Sequence, residues 1–161
     1  MGASAAKPDR HVAYVALGSN LGDREQNLRT ALQLLARQAE ILQVSSFIET
    51  EPYGVTDQPR FLNGVCRVAV TLPPEVLLQA LLAIERQMGR ERKRHWGERN
   101  IDLDLLLYDD VIMTTPELKL PHPDMQNRDF VLLPLVEIAP QAVHPALHKT
   151  AAQLLQELKN R

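Results

Sequence analysis

The sequence is poor in cysteine: Cys66 is the single cysteine among 161 residues. One cysteine cannot form an intrachain disulfide or a cysteine-based metal site. Long apolar runs are also missing, because charges or prolines interrupt every candidate before it reaches the roughly 20 residues that a membrane-spanning helix needs. We therefore expect a protein of a reducing, cytoplasmic compartment that does not insert into membranes.

An excess of basic charge is absent as well, since the formal net charge is -2. Overall charge therefore favours neither nucleic acid nor an anionic membrane, and affinity for an anion must come from a local cluster. The first residues, MGASAAKPDR, are small and polar and lack the apolar core of a signal peptide. We expect residues 1–11 to form a disordered tail and residues 12–161 to form a single domain. We also expect the protein to be a monomer, although neither length nor composition determines the oligomeric state.

Apolar periodicity predicts the order of the structural elements. It predicts strands over residues 12–17, 41–48, 62–72 and 101–108, and helices over residues 24–35 and 74–88. The order strand, helix, strand, strand, helix, strand is the split βαβ pattern. The sequence therefore predicts an α+β, ferredoxin-like βαββαβ core with a four-stranded antiparallel sheet and helices packed on it.

The C-terminal third predicts helical additions to this core. Thr150 and Gln153 have the spacing of a capping box, which predicts a helix from Thr150 onwards. The run FVLLPLVEIAP is apolar but contains Pro134. If this run is a helix, we expect Pro134 in its first turn, where a missing backbone N–H costs nothing.

A pair of carboxylates lies in the last predicted core strand. Asp102 and Asp104 alternate with apolar residues, so both side chains are expected on one face of the strand. Mg²⁺ prefers oxygen ligands and commonly uses one or two carboxylates together with substrate phosphates. The alternative is a pair of solvated aspartates on an exposed strand.

A basic segment precedes these aspartates and favours a phosphate-bearing ligand. Between Gly89 and Asn100, five cations stand against two glutamates in a protein that is slightly acidic overall: Arg90, Arg92, Lys93, Arg94 and Arg99. Guanidinium groups beside a metal-binding pair fit a polyphosphate, although a solvated basic loop is the simpler alternative. Trp96 in this segment is a candidate stacking residue or an anchor of the loop, and His122 and Arg128 are further phosphate donors in a turn-rich loop.

These motifs, taken in order, resemble those of the 6-hydroxymethyl-7,8-dihydropterin pyrophosphokinase family of folate biosynthesis. The resemblance covers nearly the whole chain: ALGSNLGDR, TEPYGVTDQPRFLN, the segment from Glu85 to Arg92, HWGERNIDLDLL, LPHPDMQNRDF and PLVEIAP. It implies transfer of diphosphate from ATP to the hydroxymethyl group of 6-hydroxymethyl-7,8-dihydropterin, with release of AMP. It also implies two Mg²⁺ ions held by Asp102 and Asp104.

The resemblance further implies roles for individual residues. Catalytic roles would belong to Asp102, Asp104, Arg90 and Arg92. The ATP-binding residues would be Glu85, Arg92, Trp96, Arg99, Leu105, His122 and Arg128. The pterin would contact Thr50, Tyr53, Gly54, Phe61, Asn63, Trp96 and Phe130. Pro123 and Leu82 depart from the family pattern, in which an aromatic and a polar residue are expected at these positions.

Two other functions fit parts of the sequence. RNA-recognition domains also use ferredoxin-like sheets, but the third predicted strand reads NGVCRVAV and lacks their glycine–aromatic signature. A magnesium-dependent phosphohydrolase or nuclease could use the same aspartates and would need no pterin pocket.

Overall fold

The computed structural model of the chain describes residues 9–50, 59–89 and 100–161. Its four α-helices within these ranges are α1 (Arg24–Leu35), α2 (Pro74–Gln87), α3 (Asp129–Ile138) and α4 (Ala151–Lys159). The main sheet contains β1 (His11–Ser19), β2 (Glu40–Val44), β3 (Ile48–Thr50), β4 (Phe61–Val70) and β5 (Asp102–Tyr108). Two small hairpins follow, formed by β6 (Met113–Thr114) with β7 (Lys119–Leu120) and by β8 (Val143–His144) with β9 (Lys149–Thr150).

The main sheet is antiparallel throughout its described strands, in the order β2-β4-β1-β5, with β3 also paired to β4. Helices cover both faces. One core lies between the sheet and α1 and α2, and a second core lies between the sheet and α3 and α4. This arrangement confirms the predicted ferredoxin-like α+β fold with C-terminal helical additions.

The first strand begins slightly earlier than the sequence indicated. His11 is already part of β1, and its Nδ1 lies 2.6 Å from Oδ2 of Asp109. The backbone N–H of Val12 donates to the other oxygen of Asp109 at 2.8 Å. These contacts order a residue assigned to the tail, whereas residues 1–8 lie outside the described part of the chain and the division into tail and domain stays a prediction.

The second predicted strand is in fact two strands, which corrects the expectation of one continuous strand over residues 41–48. Ser45 breaks it between β2 and β3. Its buried hydroxyl accepts a hydrogen bond from the Val65 N–H at 2.9 Å, and its own N–H donates to the Val65 carbonyl at 2.9 Å. The Val65 N–H of β4 thus bonds to the Ser45 side chain instead of to a backbone carbonyl. Regular pairing with β4 therefore stops at Ser45 and resumes only at Ile48.

The last core strand contains an irregularity that reverses its alternation. Tyr14 pairs with Leu107 but Val15 pairs with Leu105, so Leu106 is an extra residue of the kind found in β-bulges. Leu106 and Leu107 both enter the core under α3 and α4, whereas Tyr108 joins the opposite core. Strict alternation over residues 101–108 predicts Leu107 on the face of Leu105 and Tyr108 on the face of Asp104. Both predictions are wrong, while the alternation holds before the bulge.

Pro134 lies in the interior of α3, not in its first turn, so that prediction was wrong. Four residues earlier, the Phe130 carbonyl loses the amide partner that a helix normally provides, at a cost of about 3 kcal/mol. The same helix buries Val131, Leu132 and Leu135, each of which contributes about 1.5–3 kcal/mol. Burial of this face outweighs the lost hydrogen bond, so the helix continues through the proline.

Candidate functional site

Asp102 and Asp104 lie at the start of β5, opposite two small residues of β1. Asp102 pairs with Gly18, and Asp104 pairs with Ala16. Residues directly opposite in an antiparallel ladder project from the same face, so the carboxylates have only a hydrogen atom and a methyl group beside them on β1. Both residues are half-buried, and both precede the bulge at Leu106 in the sequence. The predicted common face of the two aspartates is confirmed.

This donor set fits Mg²⁺. Two carboxylates from one strand with space beside them supply the hard oxygen ligands that Mg²⁺ prefers, and leave most of its coordination positions for water and phosphate. Across the described ranges, no group of three or more histidine, cysteine, aspartate or glutamate side chains is arranged to hold a metal. The site therefore provides two carboxylate ligands, not a closed protein cage.

Glu85 of α2 stands behind this strand. Glu85 is only 7% exposed. Its Oε2 accepts a hydrogen bond from the backbone N–H of Leu103 at 2.8 Å. Leu103 lies between the two aspartates in sequence and is itself buried in the core beneath α1 and α2. Glu85 thus contacts the backbone that carries Asp102 and Asp104.

A cleft of about 390 Å³ opens beside the aspartates. It brings together five predicted site residues: Asp102, Asp104, Glu85, Leu105 and His122. Both residues that depart from the family pattern, Leu82 and Pro123, also line it. The sequence analysis missed Leu78, Glu117 and Lys119 in the lining. Lys119 belongs to the two-residue strand β7, and the only signal for it in the sequence is a short stretch near Leu118–Leu120 that favours an extended conformation.

His122 is held at the cleft by its backbone and its ring. Its N–H donates to the Leu106 carbonyl at 2.9 Å, and its Nδ1 accepts from the N–H of Asp124 at 3.3 Å. Burial lowers the pKa of His122 below the ordinary value, the nearby carboxylates of Asp104 and Asp124 oppose this change, and Arg128 adds to it. A neutral ring whose Nδ1 accepts carries its proton on Nε2, which leaves His122 able to donate one hydrogen bond there.

Arg128 immediately precedes α3 as its N-cap residue. Its Nε donates to Oδ2 of Asp124 at 3.2 Å, and its guanidinium lies 5.7 Å from the centre of the Phe130 ring. A hydrogen bond from Asn127, followed by the charge of Arg128, lowers the pKa of Asp124. These contacts orient the Arg128 side chain along the start of α3.

Three of the predicted pterin residues form a second cluster, on β3 and β4. Thr50 pairs with Phe61 across the ladder, and Nδ2 of Asn63 donates to Oγ1 of Thr50 at 2.5 Å. Asn63 is 8% exposed. Gly18 lies against it, because a Cβ atom at that position would be 2.8 Å from Oδ1 of Asn63 and 3.7 Å from the Phe61 ring. The sequence analysis missed Gly18 as part of this cluster, although GSN in the first motif marks it.

Phe130 packs, partly buried, against the core beneath α3 and α4. The remaining predicted site residues lie outside the described ranges: Tyr53, Gly54, Arg90, Arg92, Trp96 and Arg99. Their roles stay predictions.

Among the described residues, no helix combines the length and apolar character needed to cross a bilayer.

Comparison with known proteins places this chain in one family. A sequence model of 7,8-dihydro-6-hydroxymethylpterin-pyrophosphokinase (HPPK) matches residues 14–140. The chain is 44% identical to the 2-amino-4-hydroxy-6-hydroxymethyldihydropteridine pyrophosphokinase of Bacillus subtilis over 149 residues, which covers 91% of this chain and 87% of that protein. It is also 42% identical to the folic acid synthesis protein fol1 of Schizosaccharomyces pombe, covering 91% of this chain but only 20% of that much longer protein.

A solved structure supports the fold independently. The chain resembles the crystal structure of a single-residue variant of HPPK-DHPS from Plasmodium falciparum with pteroate at a TM-score of 0.77 and 17% identity, over 96% of this chain and 44% of that one. At this identity the likeness establishes the fold alone. The match of the family model to most of the chain, together with the bacterial relative, shows that this chain belongs to the HPPK family.

Proposed function

We propose that this protein transfers diphosphate from ATP to the hydroxymethyl group of 6-hydroxymethyl-7,8-dihydropterin, giving AMP and the pterin diphosphate, in folate biosynthesis. The observation that carries the proposal is the position of Gly18 between the two clusters. Gly18 pairs with Asn63 on one side and with Asp102 on the other. The pterin-binding amide and the metal-binding carboxylate therefore project from one face of the sheet, about 10 Å apart by strand spacing. Gly18 places no side chain between them.

This spacing suits the proposed reaction. The hydroxymethyl oxygen attacks the β-phosphorus of ATP, the bond from that phosphorus to the oxygen bridging to the α-phosphorus breaks, and AMP leaves with that oxygen while the hydroxyl proton is released. Such a transfer depends on holding both substrates in line and on absorbing charge on phosphate oxygens. Two clusters on a rigid sheet hold the attacking and the leaving groups in a fixed relation.

Asp102 and Asp104 are proposed to hold Mg²⁺, and the family resemblance implies two ions. When bound, Mg²⁺ would neutralise charge on the triphosphate oxygens. The proposed donors to those oxygens are Arg90, Arg92, Arg99, His122 and Arg128. Arg90 and Arg92 are also proposed to exclude water, which otherwise competes with the pterin hydroxyl.

The proposed pterin site reads both the faces and the edge of a flat heterocycle. Asn63, fixed by Thr50, offers an amide to the polar edge, and Phe61 offers a ring to a face. Phe130 and Trp96 are proposed as further aromatic partners. Tyr53 and Gly54 are proposed to add contacts from the segment that follows Thr50.

The cleft beside the aspartates is the proposed ATP site. Its volume of about 390 Å³ falls within the usual range of roughly 300–1,000 Å³ for small-molecule sites. Apolar side chains line it together with the polar ones: Leu78, Leu82, Leu105, Leu118, Pro116 and Pro123. We propose that the adenine contacts this apolar wall, which includes Leu82 and Pro123, the two residues that depart from the family pattern. We further propose that the enzyme works in the cytoplasm as a monomer, without nucleic acid or membrane.

The test combines the protein with ATP, Mg²⁺ and the hydroxymethyl-dihydropterin and separates the nucleotide products. We expect AMP to form only when both the pterin and Mg²⁺ are present, and chelation of Mg²⁺ to stop the reaction. Asp102→Ala should abolish it, whereas Asp110→Ala, which removes an exposed aspartate from the turn after β5, should retain it. Formation of ADP, or hydrolysis that needs no pterin, would contradict the proposal and favour a phosphohydrolase.

A further inference from the structure

Glu85 is a buried carboxylate, and one of its contacts is with the protein backbone. Removing a carboxylate from water is costly unless hydrogen bonds compensate. Glu85 is 7% exposed, and one hydrogen bond that compensates it comes from the backbone N–H of Leu103, at 2.8 Å from Oε2. A charged acceptor makes this hydrogen bond stronger than one between neutral groups.

The amide that Glu85 binds lies between the two aspartates of β5. Leu103 separates Asp102 from Asp104, and these aspartates pair with Gly18 and Ala16 of β1. β5 is the last strand in the described order of the main sheet, so the bond from Glu85 reaches the strand from outside the β1–β5 ladder. The Leu103 side chain is also buried, at 5% exposure. Leu103, between the two aspartates, is thus held in two ways: its side chain packs in the core and its amide is bonded to Glu85.

The geometry does not make Glu85 a third metal ligand. No group of three such side chains in the described ranges is arranged to hold a metal, although Glu85, Asp102 and Asp104 all line the same cleft. A carboxylate that accepts from the amide between two ligands instead resembles the outer contacts that orient metal ligands in other proteins.

We propose that Glu85 is a positioning residue: by holding the Leu103 amide, it sets the relative orientation of the Asp102 and Asp104 side chains toward the metal and the phosphates. This inference rests on the proposed function, because it assumes that the two aspartates hold Mg²⁺. It differs from a direct contact of Glu85 with ATP in the part of the side chain that matters. Positioning needs a hydrogen-bond acceptor at this place. A neutral acceptor makes a weaker bond to the Leu103 amide but keeps it in place.

Two substitutions separate the acceptor from the charge. Glu85→Gln removes the charge and keeps an oxygen that can accept from Leu103. Glu85→Met fills a similar buried volume and offers no comparable acceptor. Glu75→Ala is the matched control, because it removes an exposed glutamate from the first turn of the same helix. If the methionine variant does not fold, Glu85→Leu replaces it.

The first readout does not depend on activity: it is the rate of hydrogen exchange at the Leu103 amide, measured by NMR. The second is the Mg²⁺ dependence of binding of α,β-methylene-ATP, whose α–β bridge cannot be cleaved by this transfer. For Glu85→Met we expect faster exchange at Leu103 and an increase of at least about tenfold in the Mg²⁺ concentration that half-saturates analogue binding. Glu85→Gln should stay within about threefold of the wild type in both readouts, and Glu75→Ala should match the wild type.

The outcomes distinguish this inference from the proposed function. If the wild type forms no AMP from ATP and pterin, the proposed function fails, whatever the variants do. If the wild type is active and Glu85→Met keeps the wild-type Mg²⁺ requirement, the positioning role is refuted. Equal weakening by Glu85→Gln and Glu85→Met, with Leu103 exchange unchanged, would refute it as well and would assign Glu85 to direct contact with the nucleotide or its metal.

Discussion

Gly18 and Asn63 fit together only because Gly18 has no side chain. A Cβ atom on Gly18 would lie 2.8 Å from Oδ1 of Asn63, closer than carbon and oxygen atoms approach without a bond. Asn63 cannot easily move away, since it is buried and its Nδ2 is bonded to Thr50. The glycine therefore determines where the amide proposed to read the pterin edge can lie.

Gly18→Ala should selectively weaken pterin binding. The added methyl group forces Asn63 or the strand to shift, at an expected cost of about 1–3 kcal/mol, or roughly 5- to 150-fold in the dissociation constant if the shift disrupts the amide contact. Calorimetric titration of the pterin measures this change. Titration of α,β-methylene-ATP with the same variant is the internal control. An equal loss for both ligands would contradict a selective effect and would indicate that the methyl group also disturbs Asp102 or the sheet.

Thr50→Val should also weaken pterin binding, because it removes the oxygen that accepts from Asn63 while keeping the shape of the side chain. Loss of one such hydrogen bond costs about 1 kcal/mol, so we expect about a fivefold rise in the pterin dissociation constant. Thr50→Ser keeps the hydroxyl and is the matched control. Pterin affinities of the two variants that cannot be distinguished would argue against a role for this bond.

The aspartate pair was predictable from the sequence because it lies in a regular part of β5. Period-two alternation from Ile101 to Leu105 places three apolar side chains in one core, which leaves Asp102 and Asp104 on the opposite face. The bulge at Leu106 was not predictable, since it depends on pairing with Tyr14 and Val15 of a distant strand. The local pattern therefore predicted the common face of the two aspartates correctly and failed three residues later.

The other errors have the same origin in tertiary contacts. Ser45 interrupts a strand because its hydroxyl meets the Val65 amide, and Pro134 is tolerated in a helix because the helix face is buried. Lys119 reaches the cleft through the placement of a two-residue strand, which no periodicity reveals. The contact between Glu85 and Leu103 likewise joins residues 18 positions apart, so only the structure shows it.

Thr150→Val should destabilise the protein through the start of α4. The Thr150 hydroxyl accepts from the Gln153 N–H at 3.1 Å, and the Gln153 side chain accepts from the Thr150 N–H at 2.8 Å. Valine removes the first of these bonds at a cost of about 1 kcal/mol, which lowers the melting temperature of a domain of this size by roughly 2–4 °C. Thermal unfolding monitored by circular dichroism measures the change, and Thr150→Ser should retain most of the stability. A melting temperature equal to that of the wild type would show that this cap contributes nothing measurable.

Protonation of His144 should lower the free energy of unfolding in mild acid. It is 6% exposed, its Nδ1 accepts from the Leu147 N–H at 3.1 Å, and burial lowers its pKa below the ordinary 6.5. Between that ordinary value and the lower folded one, the unfolded chain binds more protons than the folded chain, so the free energy of unfolding decreases as the pH falls through this window. His144→Asn keeps an acceptor for Leu147 and cannot be protonated there. Urea unfolding at several pH values from about 7.5 to about 5.5 should therefore show a shallower decline for this variant than for the wild type.

His148→Asn is the matched control, because His148 is exposed and its φ of 57° is one that asparagine adopts readily. It should keep the wild-type decline, and an identical decline in all three proteins would remove His144 as the cause.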